Sequence, residues 1–187
     1  MDSYLTVRKL MRPVADFPRI SSQAFFHEAM IALQKANEEF TAGRIRQRIL
    51  LVEDRTSNIL GKVTPMDVMR GLEPKYDKID SLADDLRYGV PQVVRSMKED
   101  LRLWQEPLDD LCRKAAEVKV ESFMNTPEPN QAVGIDERMD NALHLFVATC
   151  HNSLFVMDGE AIVGLLRFSD VYSALTEVVQ ACDLKSR

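Results

Sequence analysis

The chain has 187 residues, 45% of them hydrophobic and 28% charged, with a formal net charge of −5. That supplies apolar material for one large core or two small ones and is not the composition of a disordered chain. The acidic balance speaks against a phosphate backbone as partner, so no nucleic acid is expected.

In chain order, Leu10-Met11-Arg12-Pro13 precedes a short extended piece at Arg19-Ile20. An amphipathic helix follows, with Phe26, Ala29, Met30, Leu33 and Ala36 at helical spacing. Next comes an apolar strand, Ile49 to Val52, which ends in an acidic turn. A second strand, Ile59 to Val63, lies close enough to form a hairpin with it. A last helix starts near Pro65. The order is β-α-β-β-α.

Residues 76–119 resemble nothing before them. Val90, Val94, Met97, Leu101, Trp104, Leu108, Leu111 and Ala115 step by fours and threes in a heptad-like seam. Pro91 suits a helix start and Pro107 a restart, giving helical pieces over 91–106 and 107–118. The seam either covers the chain's own core or pairs with a second copy.

Beyond residue 120 the first pattern returns. Phe123-Met124-Asn125-Thr126-Pro127 matches the Leu10 motif, and Asp140-Asn141-Ala142-Leu143 matches His27-Glu28-Ala29-Met30, both at an offset of 113. Leu154 to Asp158 matches Leu50 to Asp54 at 104, and Gly164 and Asp170 match Gly61 and Asp67 at 103. About nine extra residues around 37–47 absorb the change. Ala132-Val133 is the second extended piece. Met139, Ala142, Leu143, Phe146, Val147 and Cys150 form the second helix face, Leu154 to Met157 and Ala161 to Leu166 are strands, and Ser169 opens the last helix. The division is residues 1–75, an inserted segment 76–119, and residues 120–187.

Gly61-Lys62-Val63-Thr64-Pro65-Met66-Asp67 and Gly164-Leu165-Leu166-Arg167-Phe168-Ser169-Asp170 resemble the signature of the cystathionine β-synthase (CBS) domain: a glycine, apolar strand residues, a hydroxyl residue, and an aspartate opening a helix. With the elements upstream of each, the resemblance covers about residues 5–74 and 120–180. It implies an α/β (α+β) fold in which two repeats pack sheet to sheet about a pseudo-twofold, as in a Bateman-type module, with two clefts between them. In many relatives such clefts take AMP, ATP or S-adenosylmethionine. The aspartate there accepts from the ribose hydroxyls, and the hydroxyl residue and helix N-terminus face phosphate. Carried over, Thr64 and Asp67 serve the first cleft, Ser169 and Asp170 the second. Arg167 stands in the place of the second hydroxyl, where it can still hold a phosphate through charge-assisted bonds. Arg19, Ile20, Arg48, Ala132, Val133 and Ser153 are candidate cleft lining. The two clefts are not expected to be equivalent.

Each signature also reads as a helix cap: Thr64 at the cap position, Pro65 in the first turn and Asp67 in box-like spacing, with Ser169 as the second cap. Arg44, Arg46 and Arg48 read as loop charge or as a phosphate contact. Phe25, Phe26, Phe155 and Phe168 read as core before they read as base-stacking surfaces.

No nucleophile elbow, Walker A loop or dinucleotide fingerprint occurs, so no enzyme is expected. Cys112, Cys150 and Cys182 are odd in number and scattered, and are read as free buried thiols. His27, His144 and His151 lack metal-ligand spacing, and no obligatory cofactor is expected. Residues 1–17 hold no apolar export segment, and 141–157, the longest uncharged stretch, is too short to span a bilayer. A cytoplasmic location without a membrane partner is the expectation. Two functions remain: a sensor of an adenine nucleotide or related metabolite, acting as a homodimer on an unidentified effector protein, or a ligand-independent scaffold.

Overall fold

The computed structural model describes residues 5–43, 45, 48–72 and 111–181. Helix α1 (Val7–Leu10) and strand β1 (Arg12–Pro13) lead into the first repeat: β2 (Arg19–Ser21), α2 (Phe26–Thr41), β3 (Leu50–Glu53), β4 (Ile59–Val63) and α3 (Pro65–Leu72). Helix α4 (Leu111–Glu117) and a 3-10 turn (Val120–Ser122) lead into the second: β5 (Ala132–Gly134), α5 (Met139–Thr149), β6 (Ser153–Asp158), β7 (Ala161–Arg167) and α6 (Phe168–Ala181). Both repeats have the expected β-α-β-β-α order. The sheets run β2-β3-β4 and β1-β7-β6-β5.

The pseudo-symmetry extends to register. Arg19 pairs with Leu51 in parallel, as Ala132 pairs with Phe155. Both hairpins shift register at the same place, between Val52 and Glu53 and between Val156 and Met157. The central strands are unbroken apolar runs because both of their faces are buried. Leu50 and Val52 face the helices of the first repeat, and Leu154 and Val156 those of the second. Leu51 and Phe155 point the other way and meet between the sheets with Phe17, Ile162 and Leu165. Each such fully buried side chain contributes roughly 1.5–3 kcal/mol.

The repeats exchange their lead-in segments. β1 joins the sheet of the second repeat, with Arg12 opposite Leu165 and Pro13 opposite Gly164. Asn125 bridges Lys62 of the first repeat in the same manner. Val7 is buried in the second helical core and Val120 in the first. Gly61 and Gly164 are where these segments cross. A Cβ on Gly61 would strike the Asn125 carbonyl oxygen, and one on Gly164 the Arg12 carbonyl oxygen. The obstacle is backbone held in a ladder, which cannot swing aside. Gly61→Ala and Gly164→Ala are each expected to lose roughly 1–3 kcal/mol in urea denaturation; unchanged midpoints would contradict the crossing.

Several sequence expectations are corrected. Of the helix faces, Met30 is 44% and Val147 78% exposed, so both flank the buried stripe. α5 ends at Thr149, where Cys150 turns left-handed (φ 54°) and leaves the helix face. Cys150 and Cys112 are exposed thiols, not buried ones, while Cys182 lies outside the described residues. Five of the extra residues in the first repeat lengthen its helix, 16 residues in α2 against 11 in α5. Of the seam, Leu111 and Ala115 pack on the first repeat's own core. Its members from Val90 to Leu108, both helical starts at Pro91 and Pro107, and Trp104 lie outside the described residues, as do Arg44 and Arg46.

Candidate functional site

The last helix of each repeat starts where the other repeat's lead-in segment passes. In the first repeat Thr64 caps α3. Its N–H and hydroxyl donate to Asp67 Oδ2 at 2.8 and 2.7 Å, and its Oγ1 accepts from the Asp67 N–H at 3.4 Å. This is the reciprocal box that the spacing predicts. The other carboxylate oxygen, Oδ1, accepts from Asn125 Nδ2 at 3.0 Å, a donor that arrives on the exchanged segment. Asp67 is 3% exposed. Its three bonds come from neutral donors, and the carboxylate oxygens have lone pairs beyond them.

The second repeat builds the same corner differently. Arg167 precedes α6 and holds Asp170 in a two-pronged grip, Nε to Oδ2 at 2.7 Å and a terminal nitrogen to Oδ1 at 2.6 Å. Arg12, the counterpart of Asn125, adds a second guanidinium at 3.3 and 3.2 Å. Burial works against the Asp170 charge, but the bonds from Arg167 and then Arg12 outweigh it and hold the carboxyl below its ordinary value. The bond to Asp170 in turn raises Arg12. Two cations on one carboxylate make this corner a staple. α6 opens at Phe168, so the cap position falls to Arg167 and the expected cap, Ser169, is an exposed first-turn residue.

Lys62 lies between the sheets and is 5% exposed. Its Nζ donates to the Ser153 carbonyl at 2.8 Å and to Ser153 Oγ at 2.9 Å, and stands 4.4 Å from the Phe155 ring centroid. Burial pushes the ammonium down to about 8, with Asp67 opposing. His151, just before β6, is lowered first by burial and then by the charges of Lys62 and Arg70, with Glu128 opposing. A cavity of about 340 Å³ opens beside this corner, bounded by Asp67, Arg70, Ser122, Phe123, Met124 and Asn125. A larger one, about 470 Å³, lies elsewhere, between α1 and the start of α5. Four of its five charged groups pair with one another, Arg8 with Asp136 and Arg138 with Asp140, and it contains no signature residue.

Of the remaining expected residues, Arg19 pairs with Glu53 at 3.1 Å. Ile20 and Val133 pack into the helix-side cores, whereas Ala132 packs into the cluster between the sheets. Arg48 covers the Phe40 ring at 4.8 Å. Phe26 and Phe155 are fully buried, while Phe168 is 45% exposed. Asn125, Arg12, Lys62, Arg70 and His151 are the residues that sequence reasoning missed. For Arg12 and Asn125 the signal was present, since both sit at the 113 offset. Among the described residues no group of three or more His, Cys, Asp or Glu side chains could hold a metal ion, and no helix is long and apolar enough to cross a membrane.

Two β-α-β-β-α repeats with exchanged lead-ins and facing sheets define the fold of a tandem CBS-domain pair. The molecule is similar to a CBS domain-containing protein of Bacillus anthracis, with a TM-score of 0.60 and 14% identity over 94% of this chain and 96% of that one. It is also similar to CBSX2 in complex with AMP, with a TM-score of 0.53 and 16% identity over 93% and 98% of the two chains. The CBS domain of the bacterial CNNM/CorC family Mg2+ transporter, in complex with ATP, gives 0.53 and 15% over 91% and 87%. No protein-family model and no curated protein matches the sequence.

Proposed function

We propose that the chain is a regulatory, non-catalytic module that takes an adenosine-containing metabolite in the cleft at Asp67 and signals to a separate effector protein as a homodimer. The observation that carries this reading is the Asp67 corner itself. A carboxylate held by Thr64 and Asn125 stands in the first turn of α3 next to a cavity, with acceptor capacity beyond those bonds. Helix N-termini favour anions, and a carboxylate accepts from both hydroxyls of a ribose. The ligands of CBSX2 and of the CNNM/CorC domain, AMP and ATP, are of this class. Binding changes the module's signal to the extent that the ligand binds its two conformations unequally. The dimer draws on exposed apolar side chains of the last helices, Met66 and Met69 on α3 and Phe168, Tyr172 and Val179 on α6. Asp170, consumed by two arginines, is assigned a structural role in this reading.

The alternative, a ligand-independent scaffold, draws on the near-complete burial of Asp67. Thermal-shift measurement with AMP, ADP, ATP, NADH and S-adenosylmethionine separates the two. A ligand at 100 times its Kd is expected to add about 2.7 kcal/mol, and Asp67→Ala to remove that gain. No shift with any of the five supports the scaffold.

A further inference from the structure

Asp67 is only 3% exposed although it borders a cavity, and one of its oxygens is engaged from the other repeat. A carboxylate offers about four lone-pair positions. The Thr64 N–H and hydroxyl take two of them on Oδ2, and Asn125 Nδ2 takes one on Oδ1. About one position is left, whereas the paired hydroxyls of a ribose call for two. The Thr64 bonds belong to the cap of α3 and stay with the helix. The Asn125 bond is the one that can be given up. Its donor ends a side chain whose backbone is held separately, by the Lys62 N–H on the Asn125 carbonyl and the Asn125 N–H on the Lys62 carbonyl, each at 2.9 Å. Rotation of that side chain frees Oδ1 without unpairing the lead-in.

The second repeat supplies the contrast. Arg12, at the position of Asn125, is a cation, and Arg167 grips the same carboxylate, so four bonds from two guanidiniums close Asp170. One bond from a neutral amide is the weaker closure. Asn125 also borders the cavity beside Asp67, so a molecule entering there meets the amide together with the carboxylate.

We infer that the Asn125 side chain is a latch on the first cleft: with its amide on Oδ1 the site is closed, and an adenosine compound enters by displacing it. The latch rests on the ligand-sensing reading above and adds the regulation of that site. The near-complete burial of Asp67 is then the closed state. Displacement also carries the binding event across the repeats, since Asp67 belongs to the first and Asn125 to the lead-in of the second.

Calorimetric titration of the wild type and of Asn125→Ala with AMP, ATP and S-adenosylmethionine tests this, with the side-chain amide of Asn125 in the wild type followed by NMR. Removing the competing donor is expected to tighten binding roughly tenfold, the worth of one such bond. In the wild type the Asn125 side-chain resonances are expected to leave their hydrogen-bonded positions as the ligand saturates. Unchanged or weaker binding by Asn125→Ala, the result for a side chain that holds the ligand, overturns the latch and leaves the adenosine reading standing. Side-chain resonances that stay in place at saturation do the same. Binding by the variant alone supports both readings, and binding by neither protein overturns both. Should Asn125→Ala not fold, the wild-type resonances decide by the same criterion, and a wild type that binds none of the three ligands then overturns both.

Discussion

Lys62→Met is expected to make the protein about 2 kcal/mol more stable at pH 7 and to flatten a rise in stability that the wild type shows above pH 8. Burial lowers the Lys62 ammonium from 10.5 to about 8. Below pH 8 the lysine is charged in both folded and unfolded chains, and the folded state bears the full desolvation penalty. Between about pH 8 and 10.5 the folded chain has released this proton and the unfolded chain has not. Unfolding then takes up a proton, so stability climbs with pH, by about 3 kcal/mol over the window. Methionine removes the penalty but leaves Ser153 without its donor, which returns about 1 kcal/mol. Urea denaturation of both proteins from pH 7 to 10.5 isolates this one group, because other titrating groups are common to the pair. Parallel curves would contradict the burial of a charged lysine.

Asp170→Ala is expected to cost roughly 2–4 kcal/mol, more than a cap alone is worth. The substitution strands two guanidiniums whose side chains are only 18% and 32% exposed. Because Arg12 belongs to the exchanged lead-in, the loss should also free β1 from β7, seen as faster amide exchange at Arg12 and Leu165. The pH dependence runs opposite to that of Lys62. The folded carboxyl lies below its ordinary value of 3.8, so this stability is fully present above that pH and fades as pH falls through the lower, folded value. Asp170→Asn should keep the shape and lose most of the energy. A wild-type-like midpoint for either variant would remove the staple from the account.

Most of the fold was legible because the chain states its pattern twice. Two apolar strands, two amphipathic helices and two glycine-to-aspartate signatures fixed the β-α-β-β-α order, and the hairpins and cap at Thr64 followed from local chemistry. The exchange of lead-ins was not legible. Leu10 to Pro13 and Phe123 to Pro127 matched each other in sequence, but pairing partners across more than a hundred residues leave no local periodicity. The same blindness hid Asn125 and Arg12 as carboxylate partners. Lys62 sat in plain view within the signature, yet strand alternation says only which face a residue takes. That the opposing face supplied Ser153 and Phe155 from the other repeat is tertiary information. Met30 and Val147 show the converse error, in which an apolar residue at helical spacing lies just outside the arc that the sheet covers.

The proposed function places one adenosine-compound site on each chain, at the Asp67 corner. Titration of AMP followed by amide chemical shifts tests it most directly. Saturable shifts are expected at Thr64, Asp67 and Asn125 with a stoichiometry of one, and little change at Arg12 or Asp170. Shifts centred on Arg12, Arg167 and Asp170, or no saturable shift anywhere, would contradict it.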